Sequence, residues 1–279
     1  MRYFLYNPIS GHGKSREIAE NMQSALEEKA TLVDMTTVNY SELFASLTDD
    51  DVITIFGGDG TLNRFINDTA SISFGGRIEY APAGTGNDFY TDVAGENADG
   101  RIDITEYIKD LPSVEVNGKK HKFINGVGYG IDGYCCEVGD RMHSAGKVPN
   151  YTAIAIKGLL FRFKPRNAVI TVDGEERAYD KVWLAPTMVG RHYGGGMMPT
   201  PNQKRGGDDK KLSLMIFHGS SKLKTLMIFP SIFKGEHIKN KKYVEVIEGK
   251  NITVRFDAPT SLQIDGETVL GVSEYSASI

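Results

Sequence analysis

The residues best suited to chemistry in this 279-residue chain follow a β-branched apolar run that begins at Val52. They are Gly57, Gly58, Asp59, Gly60 and Thr61, and apolar residues at helical spacing come directly after them. This order predicts a strand, a tight turn and a helix. Such a turn presents successive backbone N–H groups and the positive end of a helix, which together suit a phosphate group. A ligand-free turn capped by Asp59 is the alternative.

Asp59 is the unusual residue of this loop, because a carboxylate repels a phosphate unless a cation lies between them. It therefore predicts either a bound Mg²⁺ or a hydrogen bond that orients the loop. The glycines around it would let phosphate oxygens approach the main chain, since they carry no Cβ.

A second glycine-containing loop follows the first short strand, which ends at Asn7 and Pro8. Its hydroxyl groups, glycines and ammonium group suit phosphate oxygens, and its candidate ligands are Ser10, Gly11 and Lys14. The spacing differs from that of a Walker A loop. A solvated, capped loop accounts for the same residues equally well.

A third junction of this kind begins where a predicted strand over residues 76–82 ends. Its glycines and polar residues are Gly84, Thr85, Gly86, Asn87 and Asp88. Asn87 and Asp88 could serve only as helix caps. Three such junctions in the first third of the chain nevertheless favour one shared ligand, because ligands of parallel sheets bind at the carboxyl ends of the strands.

The order of elements predicts two domains. Strands and helices alternate over residues 1–105, which is typical of an α/β domain with a parallel sheet and crossover helices. Residues 106–279 contain many short predicted strands, among them 252–256 and 262–264, with Asn-Gly and Asp-Gly turn pairs at 117–118 and 173–174. This pattern predicts a mostly antiparallel β domain with inserted helices. A cleft between the two domains is the expected active site.

Three further carboxylates could belong to this site. Asp103 lies between two β-branched residues, where a solvent-facing strand position explains it equally well. Asp265, Gly266 and Glu267 directly follow a short strand. A hairpin turn also uses Asp-Gly without any function. As part of a site, Asp265 would supply a base and Glu267 a metal or water ligand.

Composition and charge restrict the class of protein. The chain has 40% hydrophobic and 24% charged residues and a formal net charge of -4, which argues against general nucleic-acid binding. The two cysteines, Cys135 and Cys136, are adjacent and lack the spacing of a zinc site. No signal peptide and no membrane-spanning run is expected. The sequence therefore predicts a protein of the reducing cytoplasm.

Two segments mix basic with large apolar residues. One covers residues 157–166, and the other covers residues 222–242 with six lysines against one acid. Such a mixture suits a surface that touches anionic lipid, which predicts peripheral membrane association. Core helices with solvated lysines are the alternative.

Taken in order, these motifs resemble those of the diacylglycerol kinase catalytic-domain family, which includes bacterial lipid kinases and the sphingosine and ceramide kinases. The matching stretches are Asn7-Pro8 with Ser10-Gly11, Gly57 to Thr61, Pro82 to Phe89, and Asp265-Gly266-Glu267. The resemblance implies a nucleotide-binding α/β domain like that of phosphofructokinase and NAD kinase, plus a β-sandwich-like lipid domain. It also implies ATP and Mg²⁺ as cofactors and a lipid hydroxyl as acceptor, with diacylglycerol giving phosphatidic acid as the first choice.

The same resemblance assigns roles to individual residues, with Asp265 as the general base. Around ATP and Mg²⁺ it places the nucleotide contacts Asn7, Thr85 and Asn87, the supporting acids Asp88 and Asp103, and the magnesium ligands Asp59, Glu267 and Asp209, the last at a structural site. Two departures are visible. Tyr90 and Thr91 stand where the family has a small residue and an arginine, and Lys210 replaces a glycine that usually follows the structural-metal acid.

Two other functions stay open. NAD kinases share the Gly-Gly-Asp-Gly loop, but their Asn-Glu motif is not evident, and Asn125-Gly126 is the nearest match. A non-catalytic homologue that binds nucleotide or lipid would keep the fold but would be free to lose the Asp265 turn. Other lipid or small alcohols are possible acceptors, and a homodimer is compatible with the sequence.

Overall fold

The computed structural model describes residues 1–25, 29–94, 100–206 and 209–279. Over these ranges, no helix combines the length and the apolar character that crossing a membrane requires.

The chain divides into two compact units, Met1–Leu111 and Pro112–Ile279. The sequence places this boundary after residue 105, at the start of a helix over Thr105–Lys109 that belongs to the first unit. The Ile78 N–H donates to the Thr105 Oγ1 at 2.9 Å and ties the start of this helix to a strand of the first unit. The boundary therefore falls after this helix.

The first unit is built on a five-stranded sheet. Its strands are Arg2–Tyr6 (β1), Thr31–Asp34 (β2), Val52–Gly57 (β3), Arg77–Pro82 (β4) and Ile102–Asp103 (β5). They lie in the order β2-β1-β3-β4-β5, with β1 to β4 parallel and β5 antiparallel at the edge. The predicted parallel sheet is confirmed, and the carboxyl ends of β1, β3 and β4 lead into the three glycine-rich loops.

Helices connect these strands. They are Ser15–Ala25 (α1), Tyr40–Ala45 (α2), Asp59–Asp68 (α3), Asp88–Ala94 (α4) and Thr105–Lys109 (α5). Helix α1 packs Ala19 against a buried cluster that includes Phe4 and Phe56, whose rings lie 4.9 Å apart. Helix α3 buries Leu62, Phe65 and Ile66, which is the apolar face that the spacing predicts.

The second unit is an antiparallel β domain. Its strands are Ser113–Val116 (β6), Lys119–Lys122 (β7), Gly126–Tyr129 (β8), Arg166–Val172 (β9), Glu175–Val182 (β10), Thr187–Met188 (β11), Leu212–Phe217 (β12), Val244–Gly249 (β13), Asn251–Ile264 (β14) and Glu267–Ser278 (β15). The main path is β13-β12-β11-β8-β14-β15-β6-β7, and β9 joins β14 to β10. The predicted antiparallel class is confirmed.

Three two-residue hairpins occur where the sequence has Asn-Gly or Asp-Gly pairs. Asn117-Gly118 joins β6 to β7, Asp173-Gly174 joins β9 to β10, and Asp265-Gly266 joins β14 to β15. Both residues of each pair have positive φ, as such turns require. These three turns fix the register of the strands on either side of them.

Strand β14 corrects one sequence prediction. The sequence predicts separate strands over residues 252–256 and 262–264, whereas β14 is continuous. Its pairing with β15 shifts register between Arg255 and Leu262. Pro259 lies in this irregular part, where its missing N–H interrupts the ladder without ending the strand.

In the described part of the second unit, three α-helices pack against the sheet. They are Ile131–Ser144 (α6), Tyr151–Lys157 (α7) and Lys222–Ile228 (α8). Their buried sides form one apolar cluster around Trp183. A second cluster fills the space over the sheet, where the ring of Tyr129 stacks on that of Phe256 at a centroid distance of 3.9 Å. This second cluster contains residues of β8 and β14, and it therefore positions the strand ends next to Asn125 and Asp265.

Candidate active site

The three glycine-rich loops of the first unit interlock at their main chains. A Cβ on Gly11 would lie 2.2 Å from the carbonyl oxygen of Ala83, and one on Gly84 would lie 2.3 Å from the Cα of Gly58. A Cβ on Gly58 would lie 2.8 Å from the carbonyl oxygen of Gly86. Side chains are excluded at these positions because backbone faces backbone. The loops that the sequence predicts to share an edge therefore do so.

Polar side chains join the same loops. The Asn7 Nδ2 donates to the Thr61 Oγ1 at 3.0 Å, and the Gly58 N–H donates to the Ser10 Oγ at 3.2 Å. These contacts tie the loop after β1 to the loop after β3. Asn7 and Ser10, which the sequence singles out as nucleotide contacts, therefore also order the loops.

The loop after β4 is organised in a similar way. The Asn87 Nδ2 donates to the Gly84 carbonyl at 3.1 Å, which folds this loop on itself. The buried hydroxyl of Tyr80 donates to the Gly57 carbonyl at 3.0 Å. Burial raises the pKa of Tyr80 well above its ordinary value, with nearby Asp59 and Asp88 adding to the shift. Tyr80 therefore remains a neutral hydrogen-bond donor beneath the loops.

Asp59 connects two of the loops through its carboxylate. The Asp88 N–H donates to the Asp59 Oδ2 at 2.7 Å, and the Phe89 N–H donates to the Asp59 Oδ1 at 3.1 Å. The carboxylate is buried at the start of α3 and caps the start of α4. The sequence predicts either a bound Mg²⁺ or a loop-orienting hydrogen bond at Asp59, and these contacts are the loop-orienting hydrogen bonds.

One expectation about this turn is wrong. The sequence predicts successive backbone N–H groups that face a phosphate, but three of these groups donate hydrogen bonds to acceptors within the protein. The Gly58 N–H donates to the Ser10 Oγ. The Asp59 N–H donates to the Gly86 carbonyl at 3.0 Å, and the Thr61 N–H donates to the Gly58 carbonyl at 3.0 Å. Gly60 differs, because a Cβ there would meet nothing within 4 Å. Gly60 is thus the point of the loop with open space beside it.

The rim of these loops is polar and exposed. Lys14 and Thr85 are exposed, whereas Asp88 is buried at the first position of α4. Gly11 and His12 both adopt positive φ, which bends the first loop towards Ala83. The rim therefore offers an ammonium group and a hydroxyl group, the chemistry that the sequence predicts for phosphate oxygens.

The carboxylate of Asp265 lies in the second unit and is held by three consecutive backbone amides. The Ile124 N–H donates to its Oδ2 at 2.6 Å, and the Asn125 and Gly126 N–H groups donate to its Oδ1 at 2.9 Å each. Arg205 holds this amide segment from outside, with bonds to the Ile124 carbonyl and, at 3.0 Å, to the Asn125 Oδ1. The position of Asp265 is therefore fixed by the strand end before β8.

A buried polar group supports the same turn from below. The Gly266 N–H donates to the Gln263 Oε1 at 2.7 Å. The Gln263 side chain also bonds to the carboxylate of Asp132, which accepts the Tyr193 hydroxyl at 3.0 Å. Gly128 makes room for this arrangement, because a Cβ there would lie 1.6 Å from the Asp132 Oδ2. The Asp265 turn is thus linked to a buried carboxyl group on α6.

Sequence reasoning missed Arg205, Gln263 and Asp132 as parts of this arrangement. Arg205 is distant from Asp265 in the sequence, and Gln263, two positions before Asp265, gives no sequence signal that its side chain binds both the Gly266 N–H and Asp132. Asp132 carried a weak signal, since an acid between isoleucine and glycine in an apolar stretch is unusual for a helix that packs on a core.

Burial raises the pKa of Asp132 to about 6, against the opposing hydrogen bonds of the Gly133 N–H and Tyr193. A raised carboxyl pKa means that the folded protein holds a proton which the unfolded chain has already lost between about pH 4 and 6. We therefore expect stability to fall as pH rises through this window, by up to about 3 kcal/mol relative to Asp132→Asn. Chemical denaturation of both proteins across this range measures the difference.

The control for this measurement is Asp257→Asn, at an exposed carboxylate of β14. Its stability relative to the wild type should stay nearly constant over the same window. If the free energy of unfolding of the wild type changes with pH no more than that of Asp132→Asn, the role of the buried carboxyl group is contradicted.

Two further predicted acids are exposed. Glu267 is exposed at the first position of β15. Asp103 is exposed on β5, and its Oδ1 accepts the Thr105 N–H at 2.9 Å and the Thr105 hydroxyl at 2.7 Å. This is the solvent-facing strand position that was one of the two interpretations of Asp103, and its carboxylate binds the first residue of α5.

Asp209 lies between two lysines. Its carboxylate is 2.9 Å from the Lys211 Nζ and 3.3 Å from the Lys250 Nζ. The hydrogen bond from Lys211 is the main cause of a pKa lowered from the usual value. Two ammonium groups supply the positive charge that a structural Mg²⁺ would bring, so the surroundings of Asp209 fit that ion poorly.

Magnesium bound to a nucleotide makes smaller demands on the protein. Among the described residues, no group of three or more His, Cys, Asp or Glu side chains could hold a metal. Mg²⁺ on a nucleotide needs only one or two carboxylates, because phosphate oxygens and water complete its shell. The exposed carboxylate of Glu267 fits such a minimal role, and Asp59 fits it less well because its carboxylate is buried and already accepts two amide N–H groups.

Comparisons with known proteins match both units. Residues 2–113 match the model of the diacylglycerol kinase catalytic domain, and residues 125–276 match that of the YegS C-terminal NAD kinase beta sandwich-like domain. The second match covers more than half of the chain. Together they agree with the predicted α/β and β-sandwich-like pair.

Whole-chain similarity extends to named relatives. The chain is 28% identical to a diacylglycerol kinase of Mycobacterium tuberculosis, covering 94% of this chain and 87% of that protein. It is 24% identical to a diacylglycerol kinase of Bacillus subtilis, with 94% and 88% covered. A crystal structure of a diacylglycerol kinase from Bacillus anthracis aligns over 99% of this chain and 93% of that chain, with a TM-score of 0.60 and 20% identity, and so shares the fold.

Proposed function

Since this chain belongs to the diacylglycerol kinase family whose members carry a YegS-type C-terminal domain, we propose that it transfers the γ-phosphate of ATP to a lipid hydroxyl. Diacylglycerol, giving phosphatidic acid, is the proposed acceptor. The observation that carries this proposal is the carboxylate of Asp265, which three amides hold in an intact Asp-Gly-Glu turn. A binding protein without turnover would be free to lose this Asp-Gly-Glu turn.

The first unit supplies the proposed nucleotide site. Phosphoryl transfer depends mainly on positioning and on neutralising charge. The interlocked main chains give a rigid floor, and Ser10, Lys14 and Thr85 stand at its polar rim. The open space beside Gly60 is where a phosphate oxygen can approach closest to the backbone. We assign the phosphates of ATP to this region.

Asp265 is the proposed proton acceptor. Each carboxylate oxygen has two lone pairs, so an oxygen that accepts an amide can still accept a proton from a hydroxyl. The three amides hold the carboxylate in one orientation, which reduces the reorganisation needed when the lipid hydroxyl attacks. Gln263 and Arg205 position this turn and the amide segment.

Mg²⁺ would be held mainly by the phosphate oxygens of ATP, with Glu267 as the protein carboxylate best suited to it. When bound, the ion neutralises charge on the β- and γ-phosphates. The proposal keeps Asp88 and Asp103 as supporting acids, although the Asp103 carboxylate already accepts the Thr105 N–H. Asp209 is not included, because two lysines surround it.

The γ-phosphate transfer itself is the direct test. Purified protein is incubated with radiolabelled ATP, Mg²⁺ and diacylglycerol in anionic mixed micelles, and the lipid fraction is separated. Labelled phosphatidic acid supports the proposal. ATP binding without any labelled lipid, across diacylglycerol, monoacylglycerol, sphingoid bases and polyprenols, would instead favour a non-catalytic homologue.

An NAD kinase activity is the second candidate, because the NAD kinase beta sandwich-like model matches the second unit. Incubation of the protein with NAD, ATP and Mg²⁺, with a search for NADP, separates the two reactions. Formation of NADP at a rate above that of lipid phosphorylation would overturn the lipid-kinase proposal. We further propose that the protein works in the cytoplasm at a membrane periphery, where its lipid acceptor resides.

Gly60→Ala tests whether the phosphates lie where we propose. A Cβ at this helical position meets no protein atom within 4 Å, so the folded protein should be unharmed or slightly stabilised, by up to about 1 kcal/mol. The added methyl group would, however, occupy space assigned to phosphate. We expect ATP affinity, measured by calorimetry, to fall roughly tenfold while the melting temperature is kept.

The matched control is Gly146→Ala, in a loop of the second unit where a Cβ also meets nothing within 4 Å but φ is positive. That variant should lose some stability and keep its ATP affinity. Unchanged ATP affinity in Gly60→Ala would place the phosphates elsewhere.

A further inference from the structure

Two helical segments of the second unit lie side by side. The first is α7 with the π-helical turn Gly158–Arg162 that follows it, and the second is α8 with the 3₁₀ turn Phe229–Lys234. Their inner residues share one buried cluster. The Lys222 Nζ also donates to the Leu160 carbonyl at 3.3 Å, which links the two outer sides. The two segments that the sequence singles out as basic and apolar are therefore neighbours.

The outward sides of these segments carry large apolar side chains in water. Phe161 is 75% exposed, Leu223 71% and Met227 68%. Ile156, Leu160 and Phe233 are exposed as well. We call these six residues the apolar face. Single exposed apolar residues are common, but a cluster on two neighbouring segments indicates an interaction surface.

The segments that carry the apolar face are rich in basic residues. Residues 142–172 and 219–235 contain no aspartate or glutamate, although the chain as a whole has a formal net charge of -4. The cations of these segments include Lys157, Arg162, Lys164, Lys222, Lys224 and Lys234. This excess of cations favours an anionic partner that also accepts aromatic and aliphatic side chains.

A bilayer that contains anionic lipid meets both requirements. Its headgroups attract lysine and arginine, and its acyl region accepts phenylalanine, leucine and methionine at a shallow depth. A nucleic acid would pair with the cations but would leave the aliphatic side chains of Leu223 and Met227 in water. The short helices lie at the surface of the unit, as an interfacial contact requires.

We propose that the apolar face and its surrounding cations dock this protein on anionic membranes, with Phe161 and Leu223 entering the interface. This inference rests on the proposed lipid-kinase function only for the purpose of docking, which would bring the enzyme to a membrane-bound acceptor. The docking itself is a binding property that needs neither ATP nor acceptor lipid.

Vesicle flotation tests the docking without turnover. The full chain is mixed with phosphatidylcholine vesicles, with or without phosphatidylglycerol, in the absence of ATP and diacylglycerol. The wild type should float with the anionic vesicles and largely dissociate at high salt, because surface charges are screened. Phe161→Ser with Leu223→Ser should lower the partition coefficient roughly tenfold or more. Lys157→Gln with Lys164→Gln should lower it roughly tenfold.

Matched controls separate this face from general surface effects. Leu270→Ser changes an apolar residue that is 63% exposed on β15, and Lys119→Gln with Lys120→Gln removes two exposed cations from the β6–β7 hairpin. Both should float like the wild type. All changed residues are exposed, so the variants should keep the wild-type circular dichroism and melting temperature.

Three outcomes would overturn the proposal. The first is equal binding of the wild type to neutral and anionic vesicles. The second is equal vesicle binding by the face variants and the controls. The third is a wild type that does not bind vesicles but self-associates, with the self-association abolished by Phe161→Ser with Leu223→Ser. The last would make this face a contact between copies of the chain. Vesicle binding that follows the prediction while no lipid is phosphorylated would leave the docking surface standing and overturn the kinase proposal alone.

Discussion

Asp265→Asn is expected to lower γ-phosphate transfer to lipid by roughly 10²- to 10⁴-fold, the range typical of losing a general base. The amide cannot accept a proton from the attacking hydroxyl. ATP binding should be kept, because the three glycine-rich loops belong to the first unit and Asp265 to the second. Initial rates of labelled phosphatidic acid formation and calorimetric ATP affinity measure the two quantities separately.

This substitution also has a structural cost, which needs its own control. An asparagine offers one oxygen to the three amides that bind Asp265, so its NH₂ group must face an N–H donor. We expect a loss of about 1–3 kcal/mol in the free energy of unfolding. Activity must therefore be compared at equal folded fraction.

Asp173 provides a closely matched control. It too precedes a glycine in a two-residue hairpin, with φ of 47°, the same value as Asp265. Its carboxylate accepts the Lys250 N–H at 3.0 Å and the Asn251 N–H at 2.8 Å. Asp173→Asn should thus cost similar stability and leave transfer unchanged. If both variants lose activity only in proportion to stability, Asp265 is a structural turn residue and not the base.

Gly84→Ala is expected to have the second-largest effect, a loss of roughly 100-fold in transfer. The added Cβ would lie 2.3 Å from the Cα and 2.5 Å from the nitrogen of Gly58, so the two loops must separate. Backbone atoms cannot rotate away as a side chain could. We expect ATP affinity to fall with activity, and stability to fall by about 1–3 kcal/mol as in other overpacked sites.

The comparison with Gly60→Ala makes this prediction specific. Both variants add one methyl group to a glycine-rich loop of the same unit, but only the one at position 84 meets the main chain. Gly84→Ala should therefore lower the melting temperature, while Gly60→Ala should not. Equal melting temperatures for the two variants would contradict the observed interlocking of the loops.

Local sequence determined much of this protein. The alternation of apolar runs and helical spacing in the first third of the chain predicts a parallel sheet, because period and order are local properties. The pairs Asn117-Gly118, Asp173-Gly174 and Asp265-Gly266 predict hairpins, since few residues other than glycine and asparagine or aspartate tolerate two successive positive φ angles. The three glycine-rich junctions follow from the same reasoning.

Tertiary structure decided which of several local meanings each residue has. Asp59 could bind a cation or orient a loop, and it orients the loop because the Asp88 and Phe89 amides come within hydrogen-bond distance after folding. Asp209 could hold a metal, but Lys250, distant in sequence, is 3.3 Å away. The N–H groups of Gly58, Asp59 and Thr61 are used inside the unit, which a pattern of glycines cannot reveal.

The supports of Asp265 lay furthest beyond the reach of the sequence. Ile124, Arg205 and Asp132 are separated from Asp265 by long stretches of chain. The antiparallel pairing of β8 with β14 brings the Ile124 amide to the Asp265 carboxylate. Spacing along a chain specifies turns and faces, because those depend on neighbours within a few residues. Hydrogen bonds between distant segments depend on the register of the whole sheet, and that is fixed only when the chain has folded.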